Sequence, residues 1–182
     1  LKKEDEILDF LEDLKQNSPK ETLFVLFFDK SRDIETFNKS VEYAKKSKNI
    51  YILYDNETKD LADAYFRLYK FCSELKVKWI VSMNAGWRHD PKDLNKFLNF
   101  SSNKNIDCVW GYREKNTNKA NTYRKLISYF GNILSNFLLN IKIKDLTSGF
   151  YMIRKEILNI EIKKIKKFVS KYHFLDTELK FY

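Results

Sequence analysis

The chain predicts an α/β fold, a mostly parallel sheet with helices on both faces, and three observations carry that expectation. Short runs of β-branched and aromatic residues alternate four times with amphipathic stretches of helical period between residues 1 and 112. These apolar runs stop abruptly at polar corners, as strands covered on both faces do. No internal repeat or low-complexity linker divides the 182 residues, so a single domain over 1–182 is expected.

Taken in order, residues 1–15 read as a helix with Ile7, Phe10, Leu11 and Leu14 on one face. Residues 22–28 are a buried strand, 34–46 a helix with Phe37, Val41 and Ala44 at helical spacing, and 50–54 a second strand. A helix over 61–75 leads to a third strand at 78–83, a helix over 91–99 and a fourth strand at 107–112. The pattern then changes. Residues 123–140 carry an apolar stripe about five turns long, through Phe130 to Leu138, and packing on the core is the expectation for such a stripe. A D-L-T-S-G-F stretch over 145–150, a short strand near 151–153 and a lysine-dense stretch over 161–171 follow. Of the four glycines, Gly86, Gly111 and Gly149 fall at strand ends or turns, whereas Gly131 lies inside the long helix and is expected to mark close packing.

An apolar fraction of 43% with 32% charged residues is ordinary for a globular protein and argues against disorder. Cys72 and Cys108 are too few for a disulfide framework or a zinc site and read as reduced core thiols. No apolar stretch reaches the roughly 20 residues of a membrane span and no signal-peptide pattern opens the chain, so a cytoplasmic location is expected. The net charge of +9 is unevenly placed: residues 1–100 hold 18 basic and 18 acidic side chains, residues 101–182 hold 16 and 7. That asymmetry fits a phosphate, an anionic membrane surface or nucleic acid, and equally a solvated lysine-rich face. Nucleic acid would explain the charge but not the strand-end corners, and it is not an expected partner.

The corner at residues 79–91, W-I-V-S-M-N-A-G-W-R-H-D-P, is the most informative segment. Its first half is a strand, and Asp90 followed by Pro91 reads as an N-cap and first helical residue. Residues 84–89 are thereby held at the carboxyl end of a strand, where open α/β sheets bind ligands.

Five segments in order resemble the family 2 nucleotide-sugar-dependent glycosyltransferases with the GT-A fold, and among them the polyprenyl-phosphate (dolichol-phosphate) mannosyl- and glucosyltransferases. F-D-K-S-R-D over 28–33 is similar to the family's D-D-G-S-T-D and keeps Asp29, Ser31 and Asp33. Residues 83–91 are similar to M-D-A-D-L-Q-H-D-P, and V-W-G-Y-R over 109–113 to V-x-G-S-R. Residues 123–150, with Arg124, Lys125, Gly131, Asn132 and D-L-T-S-G-F, resemble R-R-x-x-S-x-x-x-N followed by D-x-T-S-G-F, and F-L-D-T-E-L over 174–179 resembles the segment after it. The resemblance implies a nucleotide-sugar site at Asp29, Ser31, Asn84, Gly86 and Arg88, and Asp55, placed after a strand, is expected to join it on position alone. It places an acceptor phosphate against Arg113, Arg124, Lys125 and Ser148. It also implies that the family's first strand, with its Pro-x-x-Asn-Glu loop, precedes Leu1 and that the domain is cut short at both ends.

The departures bear on chemistry. One carboxylate of the acidic pair ending the family's second strand is Phe28, and the metal-binding Asp-x-Asp corresponds to Asn84-Ala85-Gly86. A divalent cation needs hard, preferably anionic oxygens, so no strongly bound metal and no other cofactor is expected. Arg88 instead puts a permanent cation near the leaving diphosphate, which a guanidinium grips bidentately, with His89 beside it. Each candidate has a plainer reading: Asp29 and Asp55 as turn residues, Arg88, Arg113, Arg124 and Lys125 as solvated charges, Asp145, Thr147 and Ser148 as a turn with Gly149, Asp176 and Glu178 as the first turn of a helix.

The expected activity is transfer of a sugar from a nucleoside diphosphate sugar to a polyprenyl phosphate, without a bound metal, by a protein peripheral at the inner membrane face. The lysine-dense stretch, which interleaves Ile162, Ile165, Phe168 and Val169 with lysines, suits an anionic membrane surface. Two alternatives remain: a relative that has lost catalysis and binds a nucleotide or a partner, and a transferase acting on a saccharide hydroxyl with Asp176 as base.

Overall fold

The computed structural model describes residues 4–29, 34–85, 89–112, 122–164, 170 and 175–181. Helix α1 (Glu4–Gln16) turns Ile7, Phe10 and Leu11 inward, and they pack against Leu26, Tyr43 and Met83. Strands β1 (Phe24–Asp29) and β2 (Ile50–Asp55) pair in parallel, Phe24 opposite Ile50 through Asp29 opposite Asp55, with α2 (Ile34–Lys45) as the crossover. Asp60 starts α3 (Leu61–Glu74) by accepting the backbone N–H of Asp63 at 2.9 Å.

Strand β3 (Trp79–Ser82) leads through a 3₁₀ turn (Pro91–Asp93) to the short α4 (Leu94–Leu98) and β4 (Cys108–Trp110). After α5 (Thr122–Leu139), β5 (Tyr151–Arg154) inserts between β3 and β4, antiparallel to both, with Met152 opposite Val81 and Val109. The parallel relation thus holds within β1–β2 and in direction between β3 and β4, while the antiparallel insertion departs from the sequence expectation. Pairing across so long a separation leaves no local trace. The central position explains why Tyr151, Met152 and Ile153 are all buried: both faces of β5 are covered.

The faces divide by the alternation of the strand. Tyr151 and Ile153 meet Ala62 and Tyr69 of α3, Leu158 of α6 (Lys155–Lys164) and Leu179 of α7 (Leu175–Phe181). Met152 meets Phe97, with Phe150, Val81 and Val109 around it. Helices therefore cover both faces. Cys72 and Cys108 are free, and burial pushes each thiol up to about 11, so both remain protonated near neutral pH.

Two expectations are corrected. The apolar stripe of α5 does not pack on the core: Tyr123 is 74% exposed and Phe137 80%. Gly131 marks no close packing, since a Cβ placed there meets nothing within 4 Å. The stripe and the glycine share one cause, a helix standing off the body. In the lysine-dense stretch, Glu161 is buried and Ile162 packs on the core cluster below α3, so the described part of that stretch does not present a free apolar face. Residues 165–169 lie outside the described residues. No described helix is long and apolar enough to cross a membrane.

Candidate functional site

Parallel pairing brings the carboxyl ends of β1 and β2 side by side, which sets Asp29 beside Asp55 at one sheet edge. The side chain of Asp29, and Ser31 as a whole, lie outside the described residues. Both oxygens of Asp55 have partners: Oδ1 accepts the Glu57 N–H at 2.8 Å, and Oδ2 meets Arg67 Nη1 at 2.7 Å. Arg67 also reaches Asp63, with Nε 3.3 Å from Oδ2. The Glu57 N–H, helped by the Arg67 guanidinium, holds the Asp55 carboxyl below its ordinary range. The Asx turn foreseen as the plainer reading is therefore formed, and Arg67, which the sequence did not single out, keeps the carboxylate ionised. Because the folded pKa is depressed, the stabilisation is present above the ordinary aspartate range, near ~3.9, and is lost as pH falls through the lowered value. Carboxyl NMR should find Asp55 titrating below that range; an ordinary midpoint would mean that Arg67 and the turn do not hold it in solution.

The corner after β3 is closed by its own residues. The Asn84 N–H donates to His89 Nδ1 at 3.0 Å, which requires that nitrogen to be unprotonated. Tyr65 of α3 donates its hydroxyl to Asn84 Oδ1 at 3.4 Å. The His89 ring stacks on Phe150, centroids 4.8 Å apart and planes 13° apart, and Phe150 packs on Phe97 at 4.4 Å. Asp90 is the expected cap, accepting the Lys92 N–H at 2.9 Å ahead of buried Pro91. His89 thus turns back to the start of the corner. Gly86 and Arg88 lie outside the described residues.

The D-L-T-S-G-F loop forms the opposite wall. Asp145 Oδ1 accepts the N–H and hydroxyl of Thr147 at 3.2 and 3.1 Å, an Asx turn, and buried Ser148 accepts the Phe150 N–H at 3.4 Å. The loop is clamped from α7: Lys180 Nζ donates to the carbonyls of Asp145, Leu146 and Ser148 at 2.9, 2.7 and 3.0 Å, and Thr177 Oγ1 donates to that of Leu146 at 3.2 Å. Lys180 also lies 4.8 Å from the centroid of the Trp110 ring. Sequence reasoning missed Lys180, whose only signal is a cation between the apolar neighbours Leu179 and Phe181. Glu178 accepts the Ser170 N–H at 2.8 Å; Asp176 falls in the first turn of α7, and its side chain lies outside the described residues.

Gly111 joins the walls, its N–H donating to the Phe150 carbonyl at 2.8 Å. A Cβ there would come within 3.0 Å of that carbonyl oxygen and 3.2 Å of Phe97 Cζ. Gly111→Ala should therefore cost about 1–3 kcal/mol in urea unfolding. An unchanged midpoint would show that the strand end yields easily. Beside Gly111, a cavity of about 210 Å³ opens between residues 110–112 and 142–145. Lys142 and Lys144 line it, and Lys144 lies 4.8 Å from the Tyr112 ring centroid. Arg113 lies outside the described residues, as do the side chains of Arg124 and Lys125, although both sit in the first turn of α5.

Of the described residues that stand in place of the Asp-x-Asp, Asn84 offers one neutral amide oxygen, already engaged by Tyr65, and Ala85 offers no side-chain oxygen. Among the described residues no group of three His, Cys, Asp or Glu is placed to hold a metal.

Residues 1–160 match the family described as Glycosyl transferase family 2. An uncharacterized protein of Methanocaldococcus jannaschii is 30% identical over 149 residues, 76% of this chain and 62% of the relative. An undecaprenyl-phosphate mannosyltransferase of Micrococcus luteus is 25% identical over 118 residues, 63% of this chain and 48% of the relative. The chain thus spans between about half and three-fifths of the length of these relatives. With parallel β1 and β2 meeting at an aspartate edge, a strand-end corner capped by Asp90-Pro91 and a family match running through both, the chain belongs to the family 2 glycosyltransferases, with their GT-A fold.

Proposed function

We propose that the protein transfers a sugar from a nucleoside diphosphate sugar to a polyprenyl phosphate. The likeness to the undecaprenyl-phosphate mannosyltransferase carries the reading of the acceptor, and the basic excess of residues 101–182 supports it. In this reading an oxygen of the lipid phosphate attacks the anomeric carbon. A new carbon–oxygen bond forms there as the bond to the diphosphate breaks, and the nucleoside diphosphate leaves with the bonding pair. A phosphate acceptor is already anionic, so it needs positioning and charge screening and no carboxylate base.

The donor half is assigned to Asp29, Ser31, Asp55, Asn84 and Gly86, with Arg88 against the diphosphate. The acceptor phosphate is assigned to Arg113, Arg124, Lys125 and Ser148. What supports the donor side is the common carboxyl edge of Asp29 and Asp55 and the closure of the corner by Asn84 and His89. Since Asn84, Ala85 and Gly86, which stand in place of the Asp-x-Asp, carry no anionic oxygen, a guanidinium takes the place of metal in screening the leaving group.

Calorimetry with UDP and GDP sugars tests the donor half. Affinity should be the same in Mn²⁺ and in EDTA; a gain of about tenfold with Mn²⁺, ~1.4 kcal/mol, would overturn the metal-free account. Arg88→Ala should weaken diphosphate binding by about 1.5–3 kcal/mol while leaving the melting temperature nearly unchanged. Undiminished binding would return Arg88 to the solvent and favour a relative without this chemistry.

A further inference from the structure

Strand β2 has an open edge. Its register with β1, Phe24 opposite Ile50, and the bond from the Phe24 N–H to the Asn49 carbonyl at 2.8 Å turn the backbone groups of residues 49, 51, 53 and 55 toward β1. Those of Ile50, Ile52 and Tyr54 point the other way, and among the described residues no other strand pairs with them. Folded proteins usually blunt such an edge with a lysine, a proline or a bulge. The run Ile50-Tyr51-Ile52-Leu53-Tyr54 has neither lysine nor proline, and its pairing with β1 is unbroken. Tyr51 and Tyr54 are 40% and 54% exposed and stand on opposite faces: Tyr51 meets Phe71 of α3 and Tyr54 meets Phe37 of α2, centroids 6.1 and 5.3 Å apart.

The charges flanking the strand identify what it meets. Lys45, Lys46 and Lys48 precede it, and Asp55 and Glu57 follow it. Two copies of such a strand attract when they run antiparallel, basic start against acidic end, and repel when they run parallel. A strand of a different protein needs no such opposition of sign within β2. We propose that β2 pairs antiparallel with β2 of a second copy of this chain about a two-fold axis, joining the two sheets. The outward groups of residues 50, 52 and 54 are all bonded only when Ile52 lies opposite the partner's Ile52, which sets Ile50 opposite the partner's Tyr54. A slip either way leaves outward groups unbonded. In this register Tyr51 packs against the partner's Leu53 in the closer, non-hydrogen-bonded pairing. Lys48 falls opposite the partner's Asn56, between the partner's Asp55 and the partner's Glu57. The pairing does not depend on the acceptor.

Light scattering from micromolar to millimolar chain, with backbone amide exchange followed by NMR, tests it. The wild-type chain should pass from monomer to dimer as concentration rises, more readily at low salt, where exposed charges are less screened. The amides of Ile52 and Tyr54 should gain protection in step with the dimer, whereas those of Tyr51 and Leu53, turned toward β1, should be protected throughout. Lys46→Glu with Lys48→Glu should weaken the dimer about tenfold or more, and so should Glu57→Lys, because each sets like charges together. The three changes combined should recover most of the loss, since opposite signs meet again. None should lower the melting temperature, because all three side chains are exposed. A monomer at every concentration would overturn the proposal, as would a dimer whose Ile52 and Tyr54 amides exchange freely or one that ignores the charge changes. So would a dimer that Phe130→Glu with Phe137→Glu dissolves, which would place the contact on the exposed arc of α5.

Discussion

Phe150→Ala should destabilise the protein by about 3–5 kcal/mol, the usual loss for truncating a buried aromatic, and should loosen the corner that holds Asn84. Phe150 is buried, stacked on His89, packed on Phe97 and tied through its carbonyl to Gly111. Phe150→Leu keeps most of the volume but not the flat face under the imidazole. Its cost should be smaller, while the His89 ring signals shift toward their free values. Urea unfolding with imidazole NMR measures both. A Phe150→Ala loss below about 1 kcal/mol would mean that the corner closes without the aromatic support.

Lys180→Met should cost about 1.5–3 kcal/mol, since it removes a charged donor from three loop carbonyls while keeping the aliphatic stem against Trp110. The effect should be local as well as global, with faster amide exchange over residues 145–150 than over β5. Lys180→Arg presents a planar fork in place of a compact ammonium and should not restore the clamp fully. A methionine variant as stable as wild type, with unchanged exchange in the loop, would show that Thr177 and the Asx turn at Asp145 suffice.

Much of the architecture was legible in the sequence because it is local. The alternation of short apolar runs with stretches of helical period located β1 to β4 and α1 to α4 within a few residues, and Asp90-Pro91 announced its cap. The insertion of β5 was not legible, since its partners Trp79–Ser82 and Cys108–Trp110 are chosen by pairing across the fold. The stripe of α5 was visible, but periodicity shows only that a face exists. Which side points outward is decided by Asn132 and Asn136, whose partners lie in the following loop. In the site, the aspartates at strand ends were readable from position, and their register as neighbours from the parallel fold. The His89–Asn84 bond and the Lys180 clamp were not, because each depends on a loop shape that no spacing rule encodes.

The family assignment leaves the acceptor as the central claim. Incubating the chain with radiolabelled nucleoside diphosphate hexoses and undecaprenyl phosphate in detergent, followed by organic extraction, measures it directly. Label from at least one donor should move into the organic phase in step with the lipid phosphate, with release of nucleoside diphosphate, and should be unaffected by EDTA. Donor binding without any lipid-borne label, or label passing instead to a saccharide hydroxyl acceptor, would contradict the account.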